Sequence, residues 1–379
     1  MNNRPKIVFI SGNTDSVSHR FRVTHTADAL EKNGYRTEQY DLNDITDRFS
    51  LRECEMLVIF RAEWNLHLER LVQGCRKNNT PVVFDIDDLI FDVHVLLEGH
   101  WAYYGYITEN EQRMWQQKVL GYRKTMEQCD AAILSTAPLQ TAAATLCPRT
   151  YLLPNTLDDQ LIQSAKQALK REKPSKSDGK IRIGFASGTP THKKDFEVAV
   201  AGICRILQEN PNVTLTIIGA LDPAQYPELK SYPDQIEKRP LVDITSLASE
   251  IHRFDIHLSP LESGNPFCES KSALRCIMAG TVETPSIVSP TQPLLEAVGD
   301  GKYGLVARND EEWYPCIRTL ISNVVLRKKL GTESNAYTLR NFGPESGASL
   351  SLLVFKNIIR DYQSRKSGLL TRIFRGIIR

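Results

Sequence analysis

Glu269 is the first residue whose type and position suggest ligand chemistry. It follows an apolar run typical of a buried strand and a turn-rich stretch at Gly264 and Asn265. It falls in the first turn of a helix predicted from about Phe267 to Ala279. Backbone N–H groups gather at such a helix start, where α/β sheets bind phosphate-bearing ligands. Two interpretations remain: the charge complements the helix dipole, which spacing alone favours, or it binds ligand hydroxyls in a cleft.

A longer motif surrounds this glutamate. The sequence reads Asn265-Pro-Phe-Cys-Glu-Ser-Lys-Ser272, then Ala279-Gly280, then Pro285-Ser-Ile-Val-Ser-Pro290. This pattern resembles the donor-sugar segment of glycosyltransferase family four, and in particular its bacterial members that build O-antigen and other envelope polysaccharides. The resemblance implies a retaining enzyme with two facing Rossmann-like domains, the GT-B architecture.

The same resemblance assigns roles to individual residues of the motif. Glu269 would be catalytic and would bind hydroxyls of the transferred sugar. Asn265, Phe267, Ser270 and Lys271 would bind the nucleotide-sugar donor. The family usually holds the nucleotide ribose with a second glutamate, and Met278 stands at that position here.

A second polar loop, Ala186 to Asp195, connects a predicted strand to the next helix. Family members place a lysine here against the donor phosphates, and Lys193 and Lys194 both fit by position. Without the resemblance, two lysines near a helix start are typical of surface charge. The donor-binding residues implied in this loop are Ser187, Gly188, Thr189, Lys193 and Lys194. Cations and helix N–H groups neutralise a diphosphate without a metal, so no metal or other cofactor is expected.

The run Ser18-His-Arg-Phe-Arg22 follows the first predicted strand, which ends at Gly12. It resembles the S-x-x-R-[YF]-R pattern of the envelope enzymes. This implies that Arg22 points toward donor phosphate or acceptor and takes part in catalysis, whereas an ion pair with a neighbouring helix is the alternative. Gly12 is assigned to donor binding. Arg22 or Arg61 would replace an arginine that the family often places before the phosphate-binding lysine.

The densest group of carboxylates lies between Phe84 and Asp92. Carboxylates crowded at a strand end need a cation or a shared proton. Asp85 and Asp87 have the Asp-x-Asp spacing of haloacid-dehalogenase-like phosphatases, which makes a Mg²⁺-dependent phosphohydrolase one alternative function. The envelope transferases carry a similar strand. On that basis the acceptor-side residues are Arg61, Asp87, Asp88 and His94.

Two series of alternating strands and helices must position these groups. Strands are predicted at 6–11, 37–40, 56–60, 81–84, 131–134 and 150–153, with a long helix around 109–129. The pattern restarts at Ile181, with further strands at 213–219 and near 255, 286 and 304. The sequence therefore predicts an α/β fold of two Rossmann-like domains with parallel sheets. It contains no G-x-G-x-x-G dinucleotide motif.

The expected domain boundaries follow from this pattern. They are 1–165, an acceptor-side domain; 166–180, a charged linker; 181–345, a nucleotide-sugar-binding domain; 346–363, a crossover helix; and 364–379, a basic amphipathic tail. In the tail, apolar residues such as Ile373 and Phe374 fill one helical face, and Arg372 and Arg375 lie on the other. Such a helix suits an anionic membrane surface, although a packing helix is the alternative.

Composition excludes several classes of protein. The chain has 379 residues, 41% of them hydrophobic and 24% charged, with a net charge of +2. These values fit two globular domains, and the charge is too small to indicate nucleic acid. Eight cysteines without a C-x-x-C pair indicate a reducing compartment rather than a zinc site. With neither a signal peptide nor a transmembrane segment apparent, we expect a cytoplasmic protein, with peripheral contact at the inner face of the cytoplasmic membrane.

These observations predict hexosyl or deoxyhexosyl transfer from a nucleotide-sugar donor to a glycan or lipid-linked acceptor in envelope polysaccharide synthesis. A non-catalytic GT-B subunit is a further alternative, because Met278 replaces the second glutamate. The Mg²⁺-dependent phosphohydrolase at Asp85 and Asp87 is the other alternative function.

Overall fold

The computed structural model describes residues 4–46, 51, 53–99, 108–188 and 192–377, with side chains described as far as residue 366. The chain divides into two compact units. The first comprises Met1–Leu97, Thr108–Thr156 and Glu345–Arg379, and the second comprises Glu98–Ile107 and Leu157–Pro344. Each unit contains a parallel sheet and its helices, so the predicted α/β fold of two Rossmann-like domains is confirmed.

The first unit is built on a six-stranded parallel sheet. Its strands are β1 (Lys6–Ser11), β2 (Arg36–Asp41), β3 (Cys54–Phe60), β4 (Val82–Ile86), β5 (Ala131–Leu134) and β6 (Thr150–Leu152). Their order in space is β2-β1-β3-β4-β5-β6. The chain thus builds one edge after β1 and the other edge from β3 onward, and the direction reverses between these two strands. The short apolar runs of β1, β3 and β4 are typical of strands covered on both faces.

In the part of the chain that the structure describes, six α-helices connect these strands. They are α1 (Val17–His19), α2 (His25–Lys32), α3 (Leu66–Lys77), α4 (Val93–Leu97), α5 (Glu109–Gln128) and α6 (Ala137–Ala143). A π-helical turn, Arg20–Thr24, lies between α1 and α2. At the start of α5, Thr108 and Glu111 form a reciprocal capping box, which explains why the predicted long helix begins there.

The second unit also contains a six-stranded parallel sheet. Its strands are β7 (Ile181–Ser187), β8 (Val213–Gly219), β9 (Ile236–Arg239), β10 (Ile256–Ser259), β11 (Ser286–Val288) and β12 (Leu305–Val306). Their order is β12-β11-β10-β7-β8-β9, so the direction reverses between β7 and β10. The sequence did not predict β9, a half-exposed strand at the edge.

Among the described residues, nine α-helices accompany this sheet. They are α7 (Asp159–Leu169), α8 (Ser175–Asp178), α9 (Lys193–Glu209), α10 (Ile244–His252), α11 (Pro266–Glu269), α12 (Leu274–Thr281), α13 (Gln292–Ala297), α14 (Trp313–Ser322) and α15 (Val324–Phe342). The prediction of one helix from 267 to 279 was wrong, because the chain leaves the helical path between α11 and α12.

The last helix, α16 (Pro344–Ile377), runs without a break through the predicted crossover helix and into the predicted tail. Its residues Val354, Phe355 and Ile358 are buried in the core of the first unit, where Phe355 lies 6.2 Å from Phe9 between ring centroids. The side chains of the tail from residue 367 onward lie outside the described part. In the described part of the chain, no helix is long and apolar enough to span a membrane.

Candidate functional site

The loops that follow β7 and β10 lie at the topological switch point of the second sheet. β7 and β10 are hydrogen-bonded neighbours, with Ile183 opposite Ile256 and Gly184 opposite His257. From β7 the chain builds toward one edge, and from β10 toward the other. Open α/β sheets bind ligands outside the carboxyl ends of their strands at such a point. The two loops singled out in the sequence therefore meet where this fold is suited to bind a ligand.

Glu269 is held in the turn that precedes it. Its Oε1 accepts a hydrogen bond of 3.0 Å from the backbone N–H of Gly264, whose φ of +78° suits glycine. Asn265 caps α11, with Oδ1 accepting from Phe267 N at 3.0 Å and Nδ2 donating to Glu262 at 2.8 Å. The half-buried carboxylate is thus fixed to a rigid turn at the edge of the sheet.

A buried charge cluster of His192, Asp195, Cys268 and Lys271 lies beneath these loops. Lys271 Nζ donates to Asp195 Oδ2 at 2.6 Å, His192 Nδ1 lies 2.8 Å from the same oxygen, and the Cys268 thiol donates to Oδ1 at 3.1 Å. Burial alone would raise the pKa of Asp195, but the Lys271 ammonium and the bond from His192 hold that pKa well below its usual range. The cluster ties the start of α9 to the segment between α11 and α12.

The predicted donor residues of this segment are therefore not all free. Lys271 is occupied by Asp195, and its ammonium lies 5.4 Å from the centre of the Phe267 ring. Phe267 and Ser270 are buried. The observed role of Lys271 is to hold the Glu269 segment in place, and direct contact with a donor stays a prediction.

The loop after β7 presents its cations at the start of a long helix. Ser187 is buried, Gly188 is exposed, and Lys193 and Lys194 occupy the first two positions of α9. Thr189 lies outside the described residues. His192, the N-cap residue of α9, forms no side-chain hydrogen bond to the helix start. The backbone N–H groups there and the positive end of the helix dipole therefore add to the charge of the two lysines. This arrangement is suited to an anion.

Arg275 is a cation that the sequence analysis missed. Its Nη1 donates to the carbonyl of Ala186 at the end of β7 at 3.1 Å, and its guanidinium lies 5.2 Å from the centre of the Phe185 ring. Burial lowers the pKa of Arg275. Arg275 follows Lys271 by four residues, and this spacing was the available signal in the sequence. It did not predict that Arg275 would contact β7 or that Lys271 would contact α9.

Met278 lies in α12 and is fully buried. The position that carries the second glutamate in the family is thus occupied here by an apolar side chain in the interior. Ribose binding by a carboxylate at this position is not available to this chain.

His257 gives the second unit an acid-sensitive interior. Its ring is fully buried in β10, Nδ1 lies 3.0 Å from Ser286 Oγ, and Nε2 has no hydrogen-bond partner among the described residues. Burial, reinforced by the positive charge of Arg275, lowers the pKa of His257 to about 3 from 6.5. A lowered pKa means that folding favours the neutral ring, so this stability is complete above about pH 6.5 and is lost as the pH falls toward the folded value.

We expect the free energy of unfolding to drop by about 2 kcal/mol between about pH 7 and about pH 5 through His257 alone. Urea unfolding at a series of pH values measures this. His257→Gln should make the fall in that interval shallower by about 2 kcal/mol. His94→Gln, at an exposed position, should give the same fall as the wild type. An equally steep fall in the His257 variant would contradict the assignment.

The first unit places Arg22 in its interior. The guanidinium is 1% exposed and forms two bonds with Asp85, Nε to Oδ1 at 2.8 Å and Nη2 to Oδ2 at 3.0 Å. Its Nη1 donates to Leu153 O at 2.5 Å and Asn155 Oδ1 at 3.1 Å. The structure thus shows the ion-pair alternative, with a strand-end aspartate rather than a helix as partner. A catalytic role for Arg22 stays a prediction.

Gly12, Arg61, Asp87 and Asp88 meet at the carboxyl edge of the first sheet, beside its own switch point. Arg61 has a φ of +41° and donates from Nε to Asp87 Oδ1 at 2.7 Å and from Nη2 to Asp88. A β-carbon at Gly12 would lie 2.4 Å from the Arg61 carbonyl oxygen, so only glycine fits there. Arginines neutralise these carboxylates. The described residues contain no group of His, Cys, Asp or Glu arranged to hold a metal.

This arrangement does not favour the phosphohydrolase alternative. A nucleophilic Asp85 would have to be accessible, yet it is 1% exposed with both oxygens on Arg22. His94 is exposed on α4, where its backbone N–H donates to Asp92 at 2.9 Å. His19, which the sequence analysis did not single out, lies after β1 with Nδ1 2.9 Å from Ser11 Oγ.

Comparison with known proteins identifies the fold class of this chain. No family model matches the sequence, and no curated protein matches it significantly. Solved structures with the GT-B fold of two Rossmann-like domains do match over nearly the whole chain. At identities of 10 to 15%, this likeness establishes the fold.

Three of these structures illustrate the similarity. Sucrose-phosphate synthase from Thermosynechococcus elongatus has a TM-score of 0.64 at 15% identity, covering 94% of this chain and 100% of that one. HepE from Anabaena in complex with UDP-glucose has a TM-score of 0.61 at 12% identity, covering 93% and 99%. WaaG, a glycosyltransferase involved in lipopolysaccharide biosynthesis, has a TM-score of 0.57 at 10% identity, covering 92% and 99%.

Proposed function

We propose that this chain is a glycosyltransferase that moves a hexosyl or deoxyhexosyl group from a nucleotide-sugar donor to a glycan or lipid-linked acceptor. The observation that carries the proposal is the carboxylate of Glu269, fixed on a rigid turn at the switch point of the second sheet, with cations on the neighbouring loop. A sugar presents hydroxyls to a carboxylate, and a diphosphate presents charge to cations and a helix start.

The similar structures support a nucleotide-sugar donor. HepE was solved with UDP-glucose bound, and WaaG is named as a glycosyltransferase of lipopolysaccharide biosynthesis. The same fold hosts different chemistries, so the site residues must carry the assignment to this chain. The resemblance of its Asn265–Ser272 motif to the envelope enzymes favours envelope polysaccharide synthesis, with retention at the anomeric carbon.

We assign the steps of this reaction to a few residues of the second unit. The bond from the anomeric carbon to the diphosphate oxygen breaks, its electron pair leaves with the diphosphate, and the acceptor hydroxyl oxygen bonds to that carbon. The acceptor proton passes to the diphosphate. In the proposed reaction, Lys193, Lys194 and Arg275 stabilise the leaving charge without a metal. Glu269 binds sugar hydroxyls and favours positive charge on the sugar ring. Asp195 acts only by holding Lys271 in place.

We assign acceptor binding to the carboxyl edge of the first sheet. There Arg61 fixes the carboxylates of Asp87 and Asp88, and these oxygens accept hydrogen bonds from acceptor hydroxyls. His94 completes the proposed acceptor-side set. The basic tail, 364–379, would bring the protein to the anionic inner face of the cytoplasmic membrane, where lipid-linked acceptors are found.

A transfer assay tests this function. The protein is incubated with each of a panel of nucleotide sugars and a bacterial lipid and glycan extract, with and without EDTA. We expect mass spectrometry to show one sugar residue added to an acceptor and one nucleoside diphosphate released, equally in both conditions. NMR of the product gives the anomeric configuration. Absence of transfer from every donor, or phosphate release that requires Mg²⁺, would overturn the proposal.

A further inference from the structure

A cavity of about 620 Å³ opens at the amino-terminal edge of the second sheet. Ile181, Asp255 and Pro285, which stand at or just before the first residues of β7, β10 and β11, contribute to its lining. The loops after β7 and β10 follow the opposite ends of these strands. The cavity is therefore distinct from the proposed donor site, and nothing in the proposed reaction uses it.

The lining of this cavity is strongly cationic. Six cations contribute to it: Arg171, Lys173, Lys176, Lys180, Arg327 and Lys328. Two carboxylates, Asp255 and Glu283, line it as well. Asp255 is already bound, with Oδ1 accepting from Ser175 Oγ at 2.8 Å and Oδ2 from Arg182 N at 2.9 Å. We call this surface the basic cavity.

The cations come from two distant parts of the sequence. Four belong to the segment 171–180, which the sequence analysis treated as a charged linker, and two lie near the start of α15. Charges on a solvated linker keep apart when they are free to do so, because like charges repel. Here the fold holds both groups against one cavity. Lys176 pairs with Glu172 at 3.3 Å, and Arg327 Nη1 donates to Leu320 O at 2.7 Å. A bound anion would neutralise the charge that remains.

The side chain of Lys173 is partly buried in the lining of the basic cavity. Its ammonium donates to Phe254 O at 2.6 Å and to Thr284 Oγ1 at 3.2 Å. Burial lowers the pKa of Lys173 to about 8, with Asp255 opposing this effect and the positive charge of Arg327 adding to it. A negative ligand in the cavity would relieve this repulsion.

We propose that the basic cavity binds an anionic ligand that carries phosphate groups. Lysine and arginine together donate charge-assisted hydrogen bonds to phosphate oxygens, and several cations favour a multiply charged group over a single carboxylate. The volume is in the range of small-molecule sites. The phosphate belongs either to a soluble compound or to the headgroup of a phospholipid.

Inorganic pyrophosphate is the soluble probe, with binding measured by calorimetry. Lys180→Glu/Lys328→Glu changes two exposed cations of the cavity, and we expect it to weaken the dissociation constant at least about tenfold, or 1.4 kcal/mol. Lys230→Glu/Lys302→Glu makes the same charge change at exposed positions elsewhere on this unit and should bind like wild type. Raising the salt concentration should weaken wild-type binding.

Pyrophosphate also resembles the leaving group at the proposed donor site, so a third variant separates the two. Binding that survives in Lys193→Glu/Lys194→Glu and disappears in Lys180→Glu/Lys328→Glu belongs to the basic cavity. Lys180→Gln/Lys328→Gln removes the same two charges without adding negative ones, and its melting temperature is measured. It shows whether weak binding in the glutamate variant comes from misfolding. Pyrophosphate affinity that is unchanged in both cavity variants, together with unchanged vesicle binding, overturns the proposal.

Sedimentation with vesicles distinguishes the two sources. Phosphatidylglycerol vesicles that bind the wild type and the Lys230→Glu/Lys302→Glu control more tightly than the cavity variants identify a lipid headgroup, because the basic tail is the same in every protein. Neutral phosphatidylcholine vesicles should not bind. Pyrophosphate binding lost in the cavity variants, with vesicle binding equal in all proteins, identifies a soluble phosphate compound.

Discussion

Asp85→Asn is expected to lower the free energy of unfolding by about 3–5 kcal/mol, because it leaves the buried guanidinium of Arg22 without its counter-charge. Both side chains are 1 to 2% exposed, so water does not compensate for the loss. Urea unfolding at neutral pH measures the effect. Asp85 belongs to the buried interior of the first unit, so we expect this variant to lose stability.

A double-mutant cycle shows whether the effect belongs to the pair. Arg22→Met/Asp85→Leu removes both charges together and should cost less than the sum of the Arg22→Met and Asp85→Leu single substitutions. Some loss remains, because Arg22 also bonds to Leu153 O and Asn155. Strictly additive single effects, or an Asp85→Asn variant as stable as wild type, would show that the buried pair does not form.

Glu269→Gln is expected to reduce kcat/KM for sugar transfer by about 10- to 100-fold, because charged hydrogen bonds to the sugar become neutral ones. The amide keeps an oxygen that accepts from Gly264 N–H, so the turn and the melting temperature should be retained. Initial rates with the donor identified by the transfer assay measure this effect.

Glu296→Gln serves as the matched control. It makes the same chemical change at an exposed position after β11, where Glu296 bonds to Gln292, and its activity should equal that of the wild type. A Glu269→Gln enzyme with wild-type kinetics would remove this carboxylate from the site and leave only its interaction with the helix start.

The sequence predicted the sheets well because their strands are short apolar runs between turn residues. β1 lies at Lys6–Ser11 as predicted, and β8 at Val213–Gly219. β9 escaped prediction since its residues, Ile236–Arg239, are mostly polar and half exposed. Pairing with β8 makes it a strand, and its charges suit the unpaired edge of a sheet.

The break between α11 and α12 shows what local patterns do not contain. Residues 267–279 have helical spacing, and the first-turn position of Glu269 was anticipated. The path changes after Ser270, where Lys271 bonds to Asp195, 76 residues earlier in the chain. Such a contact depends on the fold already formed. For this reason the sequence pointed to Lys271 as a free donor contact, while the structure shows it paired.

The same limit applies to the first unit. The run ending at Arg22 was selected by its resemblance to a family pattern. The partners of Arg22, Asp85 and Asn155, lie 63 and 133 residues further along the chain. Arg275 was overlooked because its four-residue spacing from Lys271 did not predict that its side chain would contact the end of β7. Sequence motifs located the carboxyl edges of both sheets, and the pairing of charges within them required the structure.

The binding of nucleotide sugars is the most direct test of the proposed glycosyltransferase function. Melting temperatures of wild type and Glu269→Gln are measured with a panel of nucleotides and nucleotide sugars, with and without Mg²⁺. A ligand at about 100 times its dissociation constant adds about 2.7 kcal/mol of stability, which is readily seen. We expect one nucleotide-sugar series to stabilise the wild type without metal. The variant should bind the nucleotide but lose the preference for the sugar. Stabilisation by no nucleotide, or only by Mg²⁺ with phosphate compounds, would contradict the proposed function.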